Sequence, residues 1–153
     1  MQVEKDFEEF LRLLNKYQVK YCIIGAFAVG FYGYPRYTKD IDILIEPNKK
    51  NAKNIIKAIH EFGIKSKDLS EDDFSCKFRI IQLGYEPVRI DLITSLEGIN
   101  FFTIWKNKKI GRYGKEKVFF VGLGDLIRIK KKSSRPIDII DLEELKRRMK
   151  WKK

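Results

Sequence analysis

The segment DIDILIE, residues 40–46, sets the tightest limit on what this chain can fold into. Ile41, Ile43, Leu44 and Ile45 make it read as a buried strand, yet Asp40 and Asp42 sit two residues apart within it. Side chains alternate across a strand, so Asp40, Asp42 and Leu44 face one way and Ile41, Ile43 and Ile45 the other. The two carboxylates are then neighbours, about 7 Å apart at roughly 3.3 Å rise per residue. A second strand, VRIDLIT, sets Asp91 in the same way, with Val88, Ile90 and Leu92 opposite it. If the two strands pair, three carboxylates meet on one patch. Crowded anions raise one another's pKa unless a cation neutralises them. A hard divalent ion suits an all-oxygen site, and Mg²⁺ keeps open positions for phosphate oxygens. Two such ions about 3.5–4 Å apart stabilise both the entering and the leaving oxygen of a phosphoryl or nucleotidyl transfer. Taken alone, D-x-D fits a solvated sheet face better, so its surroundings carry the argument.

Those surroundings alternate helix and strand. Phe7, Phe10, Leu11 and Leu14 predict an opening amphipathic helix. KYCIIG reads as a short buried strand, and AFAVGFYGY as a short helix closed by Tyr34-Pro35. Ala52, Ile55, Ile56 and Ile59 mark another helix, with Asn48 as N-cap and Gly63 as C-terminal stop. Residues 64–76 are polar and carry no clear period. KFRIIQLG and VRIDLIT read as strands around a Gly84–Pro87 turn, and KKIGRYGKEKVFFVG as a hairpin. INFFTIW fits a helix or a loop equally. Two helices, about Leu123 to Lys132 and Pro136 to Met149, finish the chain. The order predicts an α/β fold with a mixed sheet, built as one domain over residues 1–153.

Composition excludes several functions. One histidine, His60, leaves neither a histidine-based zinc site nor a Ser-His-Asp triad. Cys22 and Cys76 lack a CxxC and read as reduced, mostly buried thiols. The start, MQVEKDFEEF, has no signal-peptide core, and the run Tyr21 to Tyr34 is too short and glycine-broken for a membrane span. A soluble, cytoplasmic protein is expected. The net charge of +11 favours anionic partners such as nucleic acid or nucleotides, though lysines that solvate the surface explain it as well.

Gly25-Ala26, then Asp40-Ile41-Asp42 about fifteen residues on, then Asp91 in a later strand, resembles the nucleotidyltransferase superfamily that includes DNA polymerase beta. IIGAFAVGFYG and PRYTKDIDILIEP are similar to its small bacterial and archaeal members. Those include the minimal nucleotidyltransferases of toxin–antitoxin systems, the abortive-infection toxin type and the lincosamide-modifying enzymes. DLIRIKKKSSRPIDIIDLEEL resembles a C-terminal pattern of these groups, so the likeness spans essentially the whole chain. It implies a nucleotidyltransferase fold with C-terminal helices, about 123–150, packed on the catalytic core. It also implies transfer of an NMP from an NTP such as ATP to an acceptor hydroxyl on RNA (a tRNA end, for instance), a partner protein or a small molecule.

By position, the resemblance makes Asp40 and Asp42 ligands of two Mg²⁺ ions, with Mn²⁺ as the alternative. Asp91 completes the metal site and accepts the acceptor's proton. Gly25 lets the turn approach the triphosphate, with the next helix N-terminus attracting its charge. Arg36 and Thr38 are candidate phosphate contacts, and Lys130, Arg135 and Asp138 map onto the C-terminal motif. Many members carry a serine after the glycine; here Ala26 lacks that hydroxyl, and Thr38 is a candidate to replace it.

Lys130 continues the apolar line Leu123, Ile127, and Asp138 shares a helix face with Leu142, Leu145 and Met149. A charge on an apolar face is paired or functional. An internal Lys–Asp or Arg–Asp ion pair pinning the last two helices is therefore as good a reading as phosphate binding. KRRMKWKK, from Lys146 around Trp151, suits RNA contact but equally a solvated helix end. Tyr32, Tyr34 and Tyr37 fit base stacking or packing alike. Two rivals remain: an inert nucleotidyltransferase-fold module that binds a partner or nucleic acid, and a metal-dependent phosphodiesterase, which lacks the histidines such sites often recruit.

Overall fold

Short apolar runs drive the chain into a six-stranded mixed sheet whose edge strands are Ile80–Tyr85 and Lys109–Tyr113. The computed structural model describes residues 3–65, 67–85, 88–133 and 135–151, the side chains of Lys150 and Trp151 excepted. Its strands are β1 (Tyr21–Ile24), β2 (Asp40–Ile45), β3 (Ile80–Tyr85), β4 (Val88–Ile93), β5 (Lys109–Tyr113) and β6 (Glu116–Phe120). Its helices are α1 (Lys5–Lys16), α2 (Gly25–Phe31), α3 (Lys49–Phe62), α4 (Glu71–Ser75), α5 (Phe101–Asn107), α6 (Leu123–Lys132) and α7 (Pro136–Trp151). The expected α/β mixed-sheet class is therefore what the chain adopts.

The pairings are antiparallel for β1–β2, β3–β4 and β5–β6, and parallel for β1–β6 and β2–β4. The parallel β2–β4 pair sets Asp42 opposite Asp91 and Asp40 opposite Arg89. β2 and β4 are both flanked by neighbours, so Ile41, Ile43, Ile90 and Leu92 are almost fully buried. Helix α1 packs on α3, and α3 on α4. Phe7, Phe10, Leu11 and Leu14 of the predicted apolar stripe are all buried, joined by Leu13. Asn48 caps α3 by accepting from the Asn51 amide, and Gly63 ends it in the left-handed region at φ 109°. Both ends of that helix follow from residue chemistry alone. Helix α2 packs on β1, β2 and α6, and α6 pairs with α7, which Pro136 opens.

Several expectations change. The polar stretch 64–76 contains α4, a five-residue helix that Ser70 and Asp73 close with a capping box. INFFTIW resolves as helix, with Asn100 accepting from the Phe102 amide as its N-cap. β3 starts at Ile80 rather than Lys77, because Phe78 takes a left-handed backbone at φ 61°. It also runs through Gly84 to Tyr85, so a turn beginning at Gly84 is not formed; Glu86 and Pro87 lie outside the described residues. Cys22 is buried but Cys76 is exposed. On α7 the buried positions are Asp138, Asp141 and Leu145, while Met149 faces solvent. The basic tail lies only partly within the described residues. No helix among them is long and apolar enough to cross a membrane.

Candidate active site

Pairing of β2 with β4 brings Asp40, Asp42 and Asp91 together, each offering a carboxylate oxygen, with all three oxygens within 4.8 Å of one another. Burial pushes the Asp42 carboxyl up to about 7, reinforced by the charges of Asp40 and Asp91. Burial likewise raises Asp91, against the opposing pull of the Arg89 guanidinium. This is the crowding expected from alternation once the two strands pair.

The cation beside these acids is one that sequence reasoning passed over. Arg89, two residues before Asp91 and opposite Asp40, donates from Nη2 to Asp40 at 2.7 Å and from Nε to Asp91 at 3.1 Å. It shares their face by the same alternation, and that was the signal available. Thr38 also belongs to the cluster. Its hydroxyl donates to the Asp40 carboxylate at 2.8 Å, so in this structure it orients an acid.

Gly25 has a physical reason of its own. It sits at φ 70°, and a Cβ there would overlap the Asp42 carboxylate. Any other residue would strain the backbone and push Asp42 out of the cluster. Ala26 follows, nearly buried in the first turn of α2, with no hydroxyl to offer.

The C-terminal residues form a second cluster. Lys130, buried on α6, lies 2.8 Å from Asp138 and 3.1 Å from Asp141. Arg135 donates to both Asp138 oxygens at 2.7 and 3.2 Å, and the Ser133 hydroxyl donates to the same carboxylate. Burial alone would raise Asp138, but the hydrogen bonds from Arg135, Lys130 and Ser133 hold it well below the ordinary carboxylate range. Arg36 makes a two-pronged bond to Asp141 at 2.9 Å on each arm. Asp141, fully buried, was not anticipated; its spacing of three from Asp138 on one helix face was the available clue.

Gly25, Asp42, Lys130, Arg135 and Asp138 line one cavity of about 710 Å³ between the sheet and α6–α7. Asp40 and Asp91 adjoin it through Asp42. Ala26, Arg36 and Thr38 do not line it. Of the tyrosines, Tyr32 donates its hydroxyl to the Val121 carbonyl at 2.7 Å, Tyr34 lies under Arg148, and Tyr37 is exposed.

The three carboxylates fit a divalent cation. They supply only hard oxygen donors, their spacing matches a shared ion, and Asp42 is held in a setting that disfavours its own charge without one. Asp40, Asp42 and Asp91 are the residues that would hold it.

Comparison with solved structures bears on the fold. The lincosamide antibiotic adenylyltransferase LnuA, solved with lincomycin bound, aligns with a TM-score of 0.59 at 18% identity, covering 94% of this chain and 96% of that one. A Thermotoga maritima protein assigned to the nucleotidyltransferases aligns with a TM-score of 0.61 at 17% identity, covering 96% and 90%. An antigenic nucleotidyltransferase-like protein from Paracoccidioides brasiliensis gives 0.56 at 16%, covering 94% and 76%. No protein-family model and no curated protein matches the chain. Three similarities of this depth over nearly the whole chain identify the architecture: this chain has the fold of the nucleotidyltransferases.

Proposed function

We propose that this protein is a metal-dependent nucleotidyltransferase that moves an NMP from an NTP to an acceptor hydroxyl. The observation that carries the proposal is the convergence of three carboxylate oxygens within 4.8 Å, at the wall of a cavity that also holds Lys130 and Arg135. Mg²⁺, or Mn²⁺ in its place, would supply charge neutralisation of the phosphates and of the leaving group. Asp40, Asp42 and Asp91 would hold the cation, with Thr38 orienting Asp40 and Gly25 leaving room for Asp42. Asp91, whose proton affinity burial raises, accepts the proton of the attacking hydroxyl. A bond forms between the acceptor oxygen and the α-phosphorus as the bond to the bridging oxygen breaks, and pyrophosphate leaves. Arg89, already beside Asp40 and Asp91, stands near the charge that builds up on the transferred group. Lys130 and Arg135 hold the cavity wall on the phosphate side while paired to Asp138.

LnuA is an adenylyltransferase and was solved with lincomycin, which makes ATP the first donor to try and a small hydroxylated molecule the first acceptor. RNA ends and protein side chains are the next two classes. The test is thermal stabilisation by ATP, CTP, GTP and UTP in turn with Mg²⁺, where a hundredfold excess over Kd adds roughly 2.7 kcal/mol. A shift that vanishes in Asp40→Asn/Asp42→Asn supports the transferase. No shift with any nucleotide favours the second reading, an inert binding module. Two observations speak for that reading: Ala26 lacks a hydroxyl, and Arg36 is committed to Asp141.

A further inference from the structure

The cavity at the carboxylates does not end at Ile93. A second cavity, of about 510 Å³, shares Leu96, Gly98 and Ile99 with it and continues past the C-terminal end of β4. Its walls carry two phenyl rings that face solvent, Phe78 at 69% and Phe102 at 72% relative exposure. The neighbouring Phe101 turns inward and stacks on Trp105, so Phe102 is not exposed for want of a core to join.

Phe78 is held out at a cost. It adopts φ 61°, a backbone region that bulky residues avoid. Three hydrogen bonds keep the segment there. The Phe78 amide donates to the Ser95 hydroxyl at 2.6 Å, the Arg79 amide to the Thr94 hydroxyl at 2.9 Å, and the Thr94 amide to the Arg79 carbonyl at 2.9 Å. Backbone strain and an exposed aromatic ring are each unfavourable to folding. Their coincidence on a cavity wall marks a ligand contact rather than a packing accident.

Distance and charge indicate the ligand. From Asp91 to Thr94, which lies just past the end of β4 on the wall of the second cavity, is three residues, about 10 Å at the strand rise, a span that one nucleotide crosses from phosphate to base. The groove begins at acids suited to a metal-bound phosphate and ends at flat apolar rings, with Lys77 beside them. The chain as a whole carries +11. Successive bases stack on such rings in proteins that bind single strands.

We propose that Phe78 and Phe102 form a stacking subsite for a nucleobase whose phosphate or sugar hydroxyl lies at Asp40, Asp42 and Asp91. The base belongs either to the donor NTP or to the end nucleotide of a single-stranded acceptor. The subsite rests on the transferase reading above.

The test titrates wild type, Phe78→Ala, Phe102→Ala and Phe78→Tyr with three probes, each with Mg²⁺: ATP, a labelled single-stranded oligoadenylate and inorganic tripolyphosphate. Loss of a stacking ring should weaken the base-bearing probe by about 5- to 100-fold. Tripolyphosphate, which has no base, should bind every variant within about twofold of wild type, and Phe78→Tyr should keep wild-type affinity. A loss confined to ATP assigns the subsite to the donor, and one confined to the oligonucleotide assigns it to the acceptor. Phe78→Gly adds a signature that a packing role does not produce: it relieves the left-handed strain, so melting temperature rises while base affinity falls. If ATP and oligonucleotide bind all variants as they bind wild type, the subsite is overturned and the transferase stands. If wild type binds none of the three probes, both readings fall. Altered oligomeric state in the alanine variants with unchanged binding would assign the rings to a protein interface, against the proposal.

Discussion

Two clusters of aspartates meet at one cavity, which Asp42 lines from the sheet and Asp138 from the C-terminal helices, and they are treated in opposite ways. On the sheet, Asp40, Asp42 and Asp91 crowd together with Arg89 as the basic side chain bonded to them, and the Asp42 carboxyl rises to about 7. Between the C-terminal helices, Asp138 and Asp141 meet Lys130, Arg135 and Arg36, and Asp138 is held well below its ordinary range. An acid cluster with surplus negative charge is poised to take a cation. One whose charge is fully met serves to hold elements together. Residue type alone does not distinguish the two; the count of partners does.

Breaking the paired cluster should have the largest effect on stability. Asp138→Ala leaves the buried Lys130 short of a partner and should cost about 3–5 kcal/mol, read as a large drop in melting temperature. In the crowded cluster the outcome divides. Asp42→Asn should lower transfer by on the order of 100-fold or more, yet leave the metal-free protein as stable as wild type or more so, because it removes a disfavoured charge. Equal destabilisation by the two substitutions would erase the contrast.

The pH dependence sharpens the same point. Asp42 keeps its proton in the folded state up to about 7, whereas the unfolded chain releases it in the ordinary carboxylate range. Between those limits the unfolded state binds fewer protons, so the metal-free protein loses stability as pH rises through that window. Asp138 acts with the opposite sign and only in more acidic solution, since its folded pKa is depressed. Denaturant midpoints at pH 5.5 and 8 should therefore fall for wild type relative to Asp42→Asn, and saturating Mg²⁺ should remove the difference. The smallest effect belongs to Arg89→Gln. Arg89 is partly exposed, so the substitution should change stability little without metal, and should enlarge the stabilisation that Mg²⁺ provides. An unchanged response to Mg²⁺ would show that Arg89 does not offset these acids.

The crowded cluster was legible in the sequence because strand alternation fixes which residues share a face. Asp40, Asp42 and Asp91 followed from period two and one assumption, that β2 and β4 pair. The paired cluster was half legible. Lys130 and Asp138 stood out as charges on apolar stripes, and an internal ion pair was one of the two readings open for them. Asp141 did not stand out, because periodicity marks a buried face without naming what meets it from 105 residues away. Local signals failed where elements are short: α4 spans barely more than one turn, too little for its one buried residue, Phe74, to show a period. The exposure of Phe78 was not legible at all, since a left-handed backbone at a phenylalanine contradicts every local preference.

The bond from Arg36 to Asp141 also has a consequence in time. A ribosome releases the D-x-D strand and its flanking arginine long before it releases α7. Until that last helix docks, Arg36 and Lys130 lack their common acceptor, and the cavity wall opposite Asp42 does not exist. The nascent chain therefore carries Asp40, Asp42 and Asp91 ahead of the wall that faces Asp42. That wall forms when α7 locks onto the segment in front of β2 through the bond from Arg36 to Asp141.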